Sequence, residues 1–344
     1  MGIPSQPQQA RGLASDNWNF APSRLRGALL LFLSVACAPV MHEARVVQEE
    51  PPSERETEAR ERVAGGTCAS RAGVFLPGYI QLCRGRTREG ALLAGLGLAE
   101  LGTGIAAGVT TGFGSPAAGV PLLAFGDLLT ASVMDAVLES QRAASLRFVP
   151  QESLTELMRA PFAADVLSRP AVWAGIVGAL AAGIAVSRLL DGPVDTQNFG
   201  RRPVLFGHQL NSAAGYPLAG AVGVTLFEHV AIAEESTFRG LLQSGWARKY
   251  GEDRGWIYGS LAFGAIHASN IFFMDPSQRL KYLAVGVPFI ALLGSYLGWA
   301  YRETDYSLGP PVAVHFWYDF LLEAYGFVLD PKNSPLALSW GMPF

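Results

Sequence analysis

Residues 226–246 read LFEHVAIAEESTFRGLLQSGW, a mainly apolar stretch of the length that crosses the hydrocarbon core of a bilayer as one helix. It also carries several ionisable side chains, namely Glu228, His229, Glu234, Glu235 and Arg239. Each ionisable group inside an apolar span costs about 3 kcal/mol on insertion scales, so a group of them calls for a functional account. This stretch therefore indicates both a membrane helix and a buried polar site.

The composition of the whole chain is typical of a protein with several membrane helices. Of 344 residues, 50% are hydrophobic and 16% are charged, whereas a soluble domain carries about 25% charged residues. The 39 glycines allow helices to approach closely in a bilayer. The net charge of −3 gives no support for nucleic-acid binding, and three cysteines are too few for a disulfide scaffold.

Apolar spans of membrane length recur along the chain. They cover residues 89–112, 117–139, 171–190, 217–246, 256–274, 282–301 and 308–329. We therefore predict an all-α fold, a polytopic transmembrane helical bundle of about 7–8 membrane helices with a flexible N-terminal extension. The bilayer is then a partner of the chain, and the predicted location is the inner membrane of a bacterial-type cell.

Changes in composition divide the chain into five segments. Residues 1–37 are predicted to be a signal, of lipoprotein type if Cys37 is lipidated; a short hydrophobic anchor is the alternative. Residues 38–87 are a charged, mostly flexible linker, and a disulfide between Cys68 and Cys83 stays open if this segment is exported. The remaining segments are N-terminal membrane helices and loops at 88–216, a membrane core at 217–330 and a C-terminal tail at 331–344.

Helical spacing sorts the ionisable groups of the opening stretch onto different faces. Glu235 and Arg239 are four residues apart, so they share a face and can form an ion pair. Glu234 lies about 100° around the helix and is free to face another helix. Glu228 and His229 are candidates for a supporting role near the site.

Two later spans contain further ionisable groups. His267 follows Phe263 by four residues, and His315 precedes Asp319 by the same spacing. A glutamate and a histidine can deprotonate water for attack on a peptide carbonyl, and a second histidine with a hydrogen-bonding partner can stabilise the oxyanion. Alternatively, Glu234, His267 and His315 could bind zinc as a three-ligand catalytic site, although no HExxH helix is present.

Three motifs occur in order along these spans. They are EExxxR at Glu234–Arg239, FxxxH from Phe263 to His267 and HxxxD from His315 to Asp319. Together they resemble the CPBP family, which comprises the CAAX-type prenyl endopeptidases and the bacteriocin-processing or immunity proteins also called Abi. The resemblance covers about a third of the chain, residues 217–325, and implies an intramembrane endopeptidase built as a helical bundle.

The resemblance also implies a role for each motif residue. Glu234 would activate water together with His267, while His315 and Asp319 would stabilise the oxyanion. Glu235 and Arg239 would orient the site or the substrate's C-terminus. The implied partner is a protein or peptide substrate, with a CAAX-like C-terminus as one form.

The cofactor stays open at this point. Proteins of this family have been described both as metalloproteases and as metal-free, glutamate-dependent enzymes. No cofactor is therefore certain, and a divalent metal such as zinc on Glu234, His267 and His315 remains an alternative.

Other interpretations of the same residues compete with the enzyme. A non-catalytic membrane protein of the same fold, acting in immunity or as a scaffold, or an ion-coupled transporter would also bury ionisable groups. The sequence shows no internal repeat of the kind that many transporters have. Outside the motifs, Glu100, Asp127 and Asp135 are predicted to be polar contacts between membrane helices.

Overall fold

The computed structural model describes residues 75–192, 196–272 and 274–332. The predicted signal segment with Cys37, residues 38–74 of the predicted linker and residues 333–344 of the tail lie outside the described residues. Cys83 is exposed, whereas Cys68, with which it could form the disulfide left open above, lies outside the described residues.

Helices dominate the described residues. The α-helices are α1 Tyr79–Cys83, α2 Thr87–Thr111, α3 Pro116–Ala143, α4 Leu154–Arg159, α5 Ala164–Leu167, α6 Pro170–Asp191, α7 Ser212–Glu235, α8 Ser244–Tyr250, α9 Glu252–His267, α10 Pro276–Lys281, α11 Val287–Glu303 and α12 Gly309–Leu329. Two π-helical segments, Ser236–Gln243 and Tyr282–Gly286, join α7 to α8 and α10 to α11, and 3₁₀ turns cover Ala160–Phe162 and Ala268–Phe272. A short antiparallel hairpin pairs β1 Val204–Leu205 with β2 His208–Gln209.

Six helical stretches among the described residues are long and apolar enough to cross a membrane. They are Thr87–Thr111, Pro116–Ala143, Pro170–Leu190, Ser212–Tyr250, Pro276–Glu303 and Gly309–Leu329. Each overlaps one of the predicted spans. The prediction of an all-α, multi-pass membrane protein is confirmed.

The predicted span at 256–274 has a different form. Its helix, α9, has 16 residues, which at 1.5 Å per residue reach about 24 Å and fall short of the roughly 30 Å hydrocarbon core. The helix begins after Gly251, whose φ of 94° suits glycine. It ends at His267, where the backbone tightens into the Ala268–Phe272 turn.

Local side-chain hydrogen bonds set the starts of several helices. The Asn211 side chain accepts a hydrogen bond from the Ala214 N–H at the start of α7, satisfying one of the free N–H groups of the first turn. At α4, Ser153 and Glu156 form a reciprocal capping box. Hydrogen bonds from the Ser153 backbone N–H and hydroxyl lower the pKa of Glu156.

The N-terminal helix α1 is anchored to α3 by polar contacts. The fully buried Gln81 donates hydrogen bonds to the Ser132 carbonyl and to Asp135 Oδ2, both at 2.9 Å. Arg86 also pairs with Asp135 at 2.6 Å. Asp135 thus makes the polar contact between helices that the sequence predicted, and the structure identifies its partners. Tyr79–Cys83, at the end of the predicted linker, is therefore a helix that packs against α3.

A close approach between α9 and α11 positions the end of α9. A Cβ added at Gly264 would lie 2.5 Å from Ala291 Cβ and 3.0 Å from Ala291 Cα, so only glycine fits there without a shift. Gly294 on α11 similarly leaves room for Phe263, which is 1% exposed. Helix α12 packs in the largest core cluster through the buried residues Val312–Val314. The end of α9 therefore lies against a well-packed framework.

Candidate active site

Three helices bring Glu234, His267 and His315 to one place. Glu234 is next to last in α7, His267 is the last residue of α9, and His315 lies in the second turn of α12. Glu234 Oε2 is 3.9 Å from His267 Nε2 and 3.8 Å from His315 Nε2. The structure thus brings together one residue from each of the three sequence motifs.

A buried ion pair lies directly behind Glu234. Arg239 Nε is 3.0 Å from Glu235 Oε2, as the spacing of four residues predicted. The other oxygen, Glu235 Oε1, is 2.8 Å from His315 Nδ1. Arg239 Nη2 also donates a hydrogen bond to the Gly294 carbonyl at 3.0 Å. Glu235 therefore connects the guanidinium of one helical stretch with the imidazole of α12.

A change of helix type separates the two adjacent glutamates from the arginine. Helix α7 ends at Glu235, and the π-helical segment Ser236–Gln243 begins at the next residue. Such segments are rare and frequently lie at functional sites. Within this one, Arg239 still reaches Glu235, while Glu234 faces the two histidines.

The ring of Phe263 packs between the charged groups. Arg239 Cζ lies 4.3 Å from the Phe263 ring centroid, over its face, in a cation–π contact. The His315 ring meets the same ring edge-on, with 5.9 Å between centroids. The backbone carbonyl of Phe263 is 2.6 Å from His267 Nδ1. One residue thus contacts the ion pair and both histidines.

The hydrogen-bond partners determine which nitrogen of each histidine carries a proton. A carbonyl oxygen only accepts, so His267 Nδ1 donates to Phe263, and the Nε2 that faces Glu234 is unprotonated in the neutral ring. His315 has carboxylates on both sides, with Glu235 at Nδ1 and Asp319 Oδ2 3.3 Å from Nε2. An imidazolium donates at both nitrogens, so it suits this position.

Exposure divides the site into two parts. The side chains of Glu235, His315 and Asp319 are 0%, 6% and 7% exposed, whereas those of Glu234 and His267 are 22% and 12% exposed. Glu234 and His267 therefore form the side of the site that a substrate or water can reach.

The three candidate metal ligands are farther apart in this structure than zinc ligands. Among residues 75–192, 196–272 and 274–332, no three His, Cys, Asp or Glu side chains are grouped so that they could hold a metal ion. Zinc ligands at 2.0–2.2 Å in a tetrahedron lie roughly 3.4 Å apart, whereas Glu234 Oε2 is 3.8 Å and 3.9 Å from the two histidine nitrogens. A divalent metal on Glu234, His267 and His315 stays an open alternative.

The supporting candidates on α7 have separate surroundings. His229 is 2% exposed and lies 3.3 Å from Glu100 Oε1, which links α7 to α2. This makes Glu100 a polar contact between helices, as predicted, and gives His229 a partner outside the motif residues. Glu228 is partly buried.

One acidic residue near the site was not singled out as a site residue from the sequence. Asp127 on α3 interacts with the charges of Glu234, Glu100 and His315, and its Oδ2 is buried without a hydrogen-bond partner. The sequence offered only one indication that Asp127 is a site residue, which is a lone carboxylate in an apolar span. Its place near the site follows only from the packing of α3 against α7.

Comparison with known protein families agrees with the sequence motifs. Residues 217–321 match the family model described as type II CAAX prenyl endopeptidase Rce1-like. The match contains all three motifs, covers about a third of the chain and confirms the resemblance over this region. No curated protein and no solved structure matches the chain. The similarity supports a CAAX-type intramembrane protease, and hence an enzyme that acts on a protein or peptide.

Proposed function

We propose that this chain is an intramembrane endopeptidase that uses Glu234 and His267 to activate the water that hydrolyses a peptide bond. The observation that carries the proposal is the position of Glu234 Oε2, 3.9 Å from His267 Nε2 and 3.8 Å from His315 Nε2. Both distances exceed a direct hydrogen bond and are short enough for one water molecule to contact the carboxylate and an imidazole.

The first step is attack by water on the substrate carbonyl carbon. The carboxylate of Glu234 accepts one proton from the water as the new C–O bond forms. His267 accepts the other hydrogen bond of the water through its unprotonated Nε2, because its Nδ1 donates to the Phe263 carbonyl. His267 thereby directs the water oxygen toward the carbonyl carbon.

The negative charge that develops on the carbonyl oxygen needs a donor. His315 lies next to Glu234, and in its cationic form its single Nε2 proton turns from the 3.3 Å contact with Asp319 to a hydrogen bond with the oxyanion. Asp319 Oδ2, 3.3 Å from the same nitrogen, favours the positive charge of the ring. The low exposure of His315 strengthens this interaction because little water screens it.

Collapse of the tetrahedral intermediate completes the reaction. Protonated Glu234 gives its proton to the amine nitrogen as the C–N bond breaks, which restores the carboxylate. Glu235 and Arg239 hold the Nδ1 side of His315 and touch no reacting atom. Their burial favours a role in orienting the site over a role in binding the substrate's C-terminus.

The test is proteolysis in reconstituted membranes on a peptide library that includes prenylated and unprenylated CAAX-ending peptides. Glu234→Gln and His267→Ala are expected to lower cleavage by about 10²–10⁴-fold. Glu303→Gln and His208→Ala, two exposed positions on α11 and β2, are the matched controls and should cleave like wild type.

A chelator arm separates the two chemical alternatives. Cleavage that survives chelation and is lost in both site variants supports water activation by Glu234 and His267 without a metal. Chelator-sensitive cleavage that a divalent metal restores would favour the metal alternative. Site variants that cleave as well as wild type would show that the catalytic assignment is wrong, and a non-catalytic scaffold would keep its cellular phenotype with Glu234→Gln.

A further inference from the structure

The end of α9 is held by hydrogen bonds from residues outside the three motifs. The Tyr282 hydroxyl donates to the backbone carbonyl of His267 at 3.0 Å. Asn270 Nδ2 in turn donates to the Tyr282 hydroxyl oxygen at 3.1 Å. These two bonds join the last residue of α9, the following 3₁₀ turn and the π-helical segment that precedes α11.

The Tyr282 hydroxyl adds a side-chain donor at this helix end, next to the 3₁₀ turn that follows it. The last four carbonyls of an α-helix have no partner within the helix, and the carbonyl of His267 is one of them. The His267 ring is tied to the Phe263 carbonyl one turn earlier. The direction of His267 Nε2 therefore depends on the backbone at the end of α9, and Tyr282 fixes that backbone.

The packing of Tyr282 leaves its hydroxyl little freedom. The side chain is 0% exposed and belongs to a core cluster with Phe238, Phe263 and Ile290. A Cβ added at Gly286 would lie 2.4 Å from the Tyr282 ring, so the ring occupies space that only a glycine leaves. A ring confined in this way directs its hydroxyl at one acceptor.

We propose that Tyr282, supported by Asn270, is a positioning residue that holds His267 Nε2 toward Glu234. The proposal rests on the proposed function, because it matters for catalysis only if His267 acts on the reacting water. Tyr282 itself touches no reacting atom. Its loss should therefore slow the chemical step and leave substrate binding nearly unchanged.

The first test is Tyr282→Phe, which removes the hydroxyl and keeps the ring. We expect kcat to fall about 10–100-fold with KM within about twofold, since a displacement of about 1 Å at a catalytic group costs rates of this order. The matched control is Tyr296→Phe on α11, whose hydroxyl donates to the Ala171 carbonyl on α6. This control should keep the wild-type kcat and KM.

A double variant separates positioning from general destabilisation. In a His267→Ala background, Tyr282→Phe should cause no further loss of the residual rate, because it acts through the missing ring. An additional loss of the same size in both backgrounds would overturn the proposal. So would a wild-type kcat for Tyr282→Phe in a preparation where His267→Ala is inactive, and this outcome would leave the proposed function intact.

A second measurement needs no substrate. Hydrogen exchange of the backbone amides at 268–272 should be faster in Tyr282→Phe than in wild type and in Tyr296→Phe. Unchanged exchange would contradict the proposal even if cleavage fell. Faster exchange together with a fully active His267→Ala variant would instead refute the catalytic role of His267, and with it the consequence proposed for Tyr282.

Discussion

Replacement of Arg239 by methionine tests whether the buried ion pair is a structural requirement of the site. Arg239 is 1% exposed and Glu235 is 0% exposed, and their charged atoms are 3.0 Å apart. Methionine keeps an apolar stem of similar shape and removes the charge. The carboxylate of Glu235 then stays buried with His315 as its only neighbouring cation among the contacts described above.

The expected loss of stability follows from this burial. Removal of one partner of a buried pair costs about 3–5 kcal/mol because the other charge is left uncompensated. The guanidinium also loses its contact with the Phe263 ring and its hydrogen bond to the Gly294 carbonyl. His315 compensates part of the remaining charge, so we expect a total near the lower end, about 3 kcal/mol. Replacement of both partners, in Glu235→Gln with Arg239→Met, should cost less than the sum of the single changes by about 1–3 kcal/mol.

The measurement is the free energy of unfolding in mixed micelles, followed by circular dichroism as a denaturing detergent is added. The matched control is Arg302→Met, because Arg302 pairs at 2.6 Å with Asp253, whose side chain is 81% exposed. An exposed pair contributes up to about 1 kcal/mol, so this variant should be nearly as stable as wild type. If Arg239→Met were as stable as Arg302→Met, or if the double variant were as unstable as the sum of the singles, the reasoning would be refuted.

Three further predictions concern packing, anchoring and capping. A Cβ at position 264 would lie only 2.5 Å from Ala291 Cβ, so Gly264→Val should lower both the melting temperature and the cleavage rate. A wild-type cleavage rate would contradict the close packing of α9. Asp135→Ala removes the carboxylate that accepts a hydrogen bond from Gln81 on α1. It should lower the free energy of unfolding by about 1–3 kcal/mol and speed amide exchange in α1. Unchanged exchange would count against this anchor. Hydrogen bonds from Ser153 lower the pKa of Glu156 from its ordinary value of 4.5. The ionised carboxylate therefore stabilises the fold above pH 4.5, and this stabilisation is lost as the pH falls through the lowered pKa. Glu156→Gln should therefore be less stable than wild type at pH 7 and equally stable in strong acid, and a difference independent of pH would argue against the carboxylate.

The number and kind of helices could largely be predicted from the length and apolar character of the spans. Length and apolar character alone identify a membrane helix, because the bilayer imposes both. The span 256–274 shows where this reasoning stops. Hydropathy averages over a run of residues, whereas the ends of α9 are set by the backbone at Gly251 and by the 3₁₀ turn after His267.

Contacts within one helical stretch could also be predicted, since spacing fixes them. The ion pair between Glu235 and Arg239 is confirmed at 3.0 Å, and His315 and Asp319 share a face at 3.3 Å. A π-helical segment in place of a regular helix did not disrupt the first pair. Periodicity thus identified the partners without identifying the helix type.

Contacts between helices that are far apart along the chain could hardly be predicted from the sequence. Nothing in the spans indicated that Glu100 contacts His229, or that the charge of Asp127 is felt at Glu234. Tyr282 resembles any aromatic residue of an apolar span until its hydroxyl is seen at the His267 carbonyl. Such contacts depend on how the helices pack, which local pattern does not determine.

The division of the site into a buried part and an accessible part is consistent with the different roles that we propose for the two adjacent glutamates. Glu235 contacts Arg239 and His315, neither of which is more than 6% exposed, so its position is fixed by its neighbours. Glu234 is 22% exposed and lies beyond direct hydrogen-bond distance of both histidines, which leaves its carboxylate accessible to water. A general base needs that access, and an oxyanion donor needs a fixed position. In the proposed mechanism Glu234 is the base and Glu235 holds the oxyanion donor His315 in place, because the two side chains leave the helix about 100° apart.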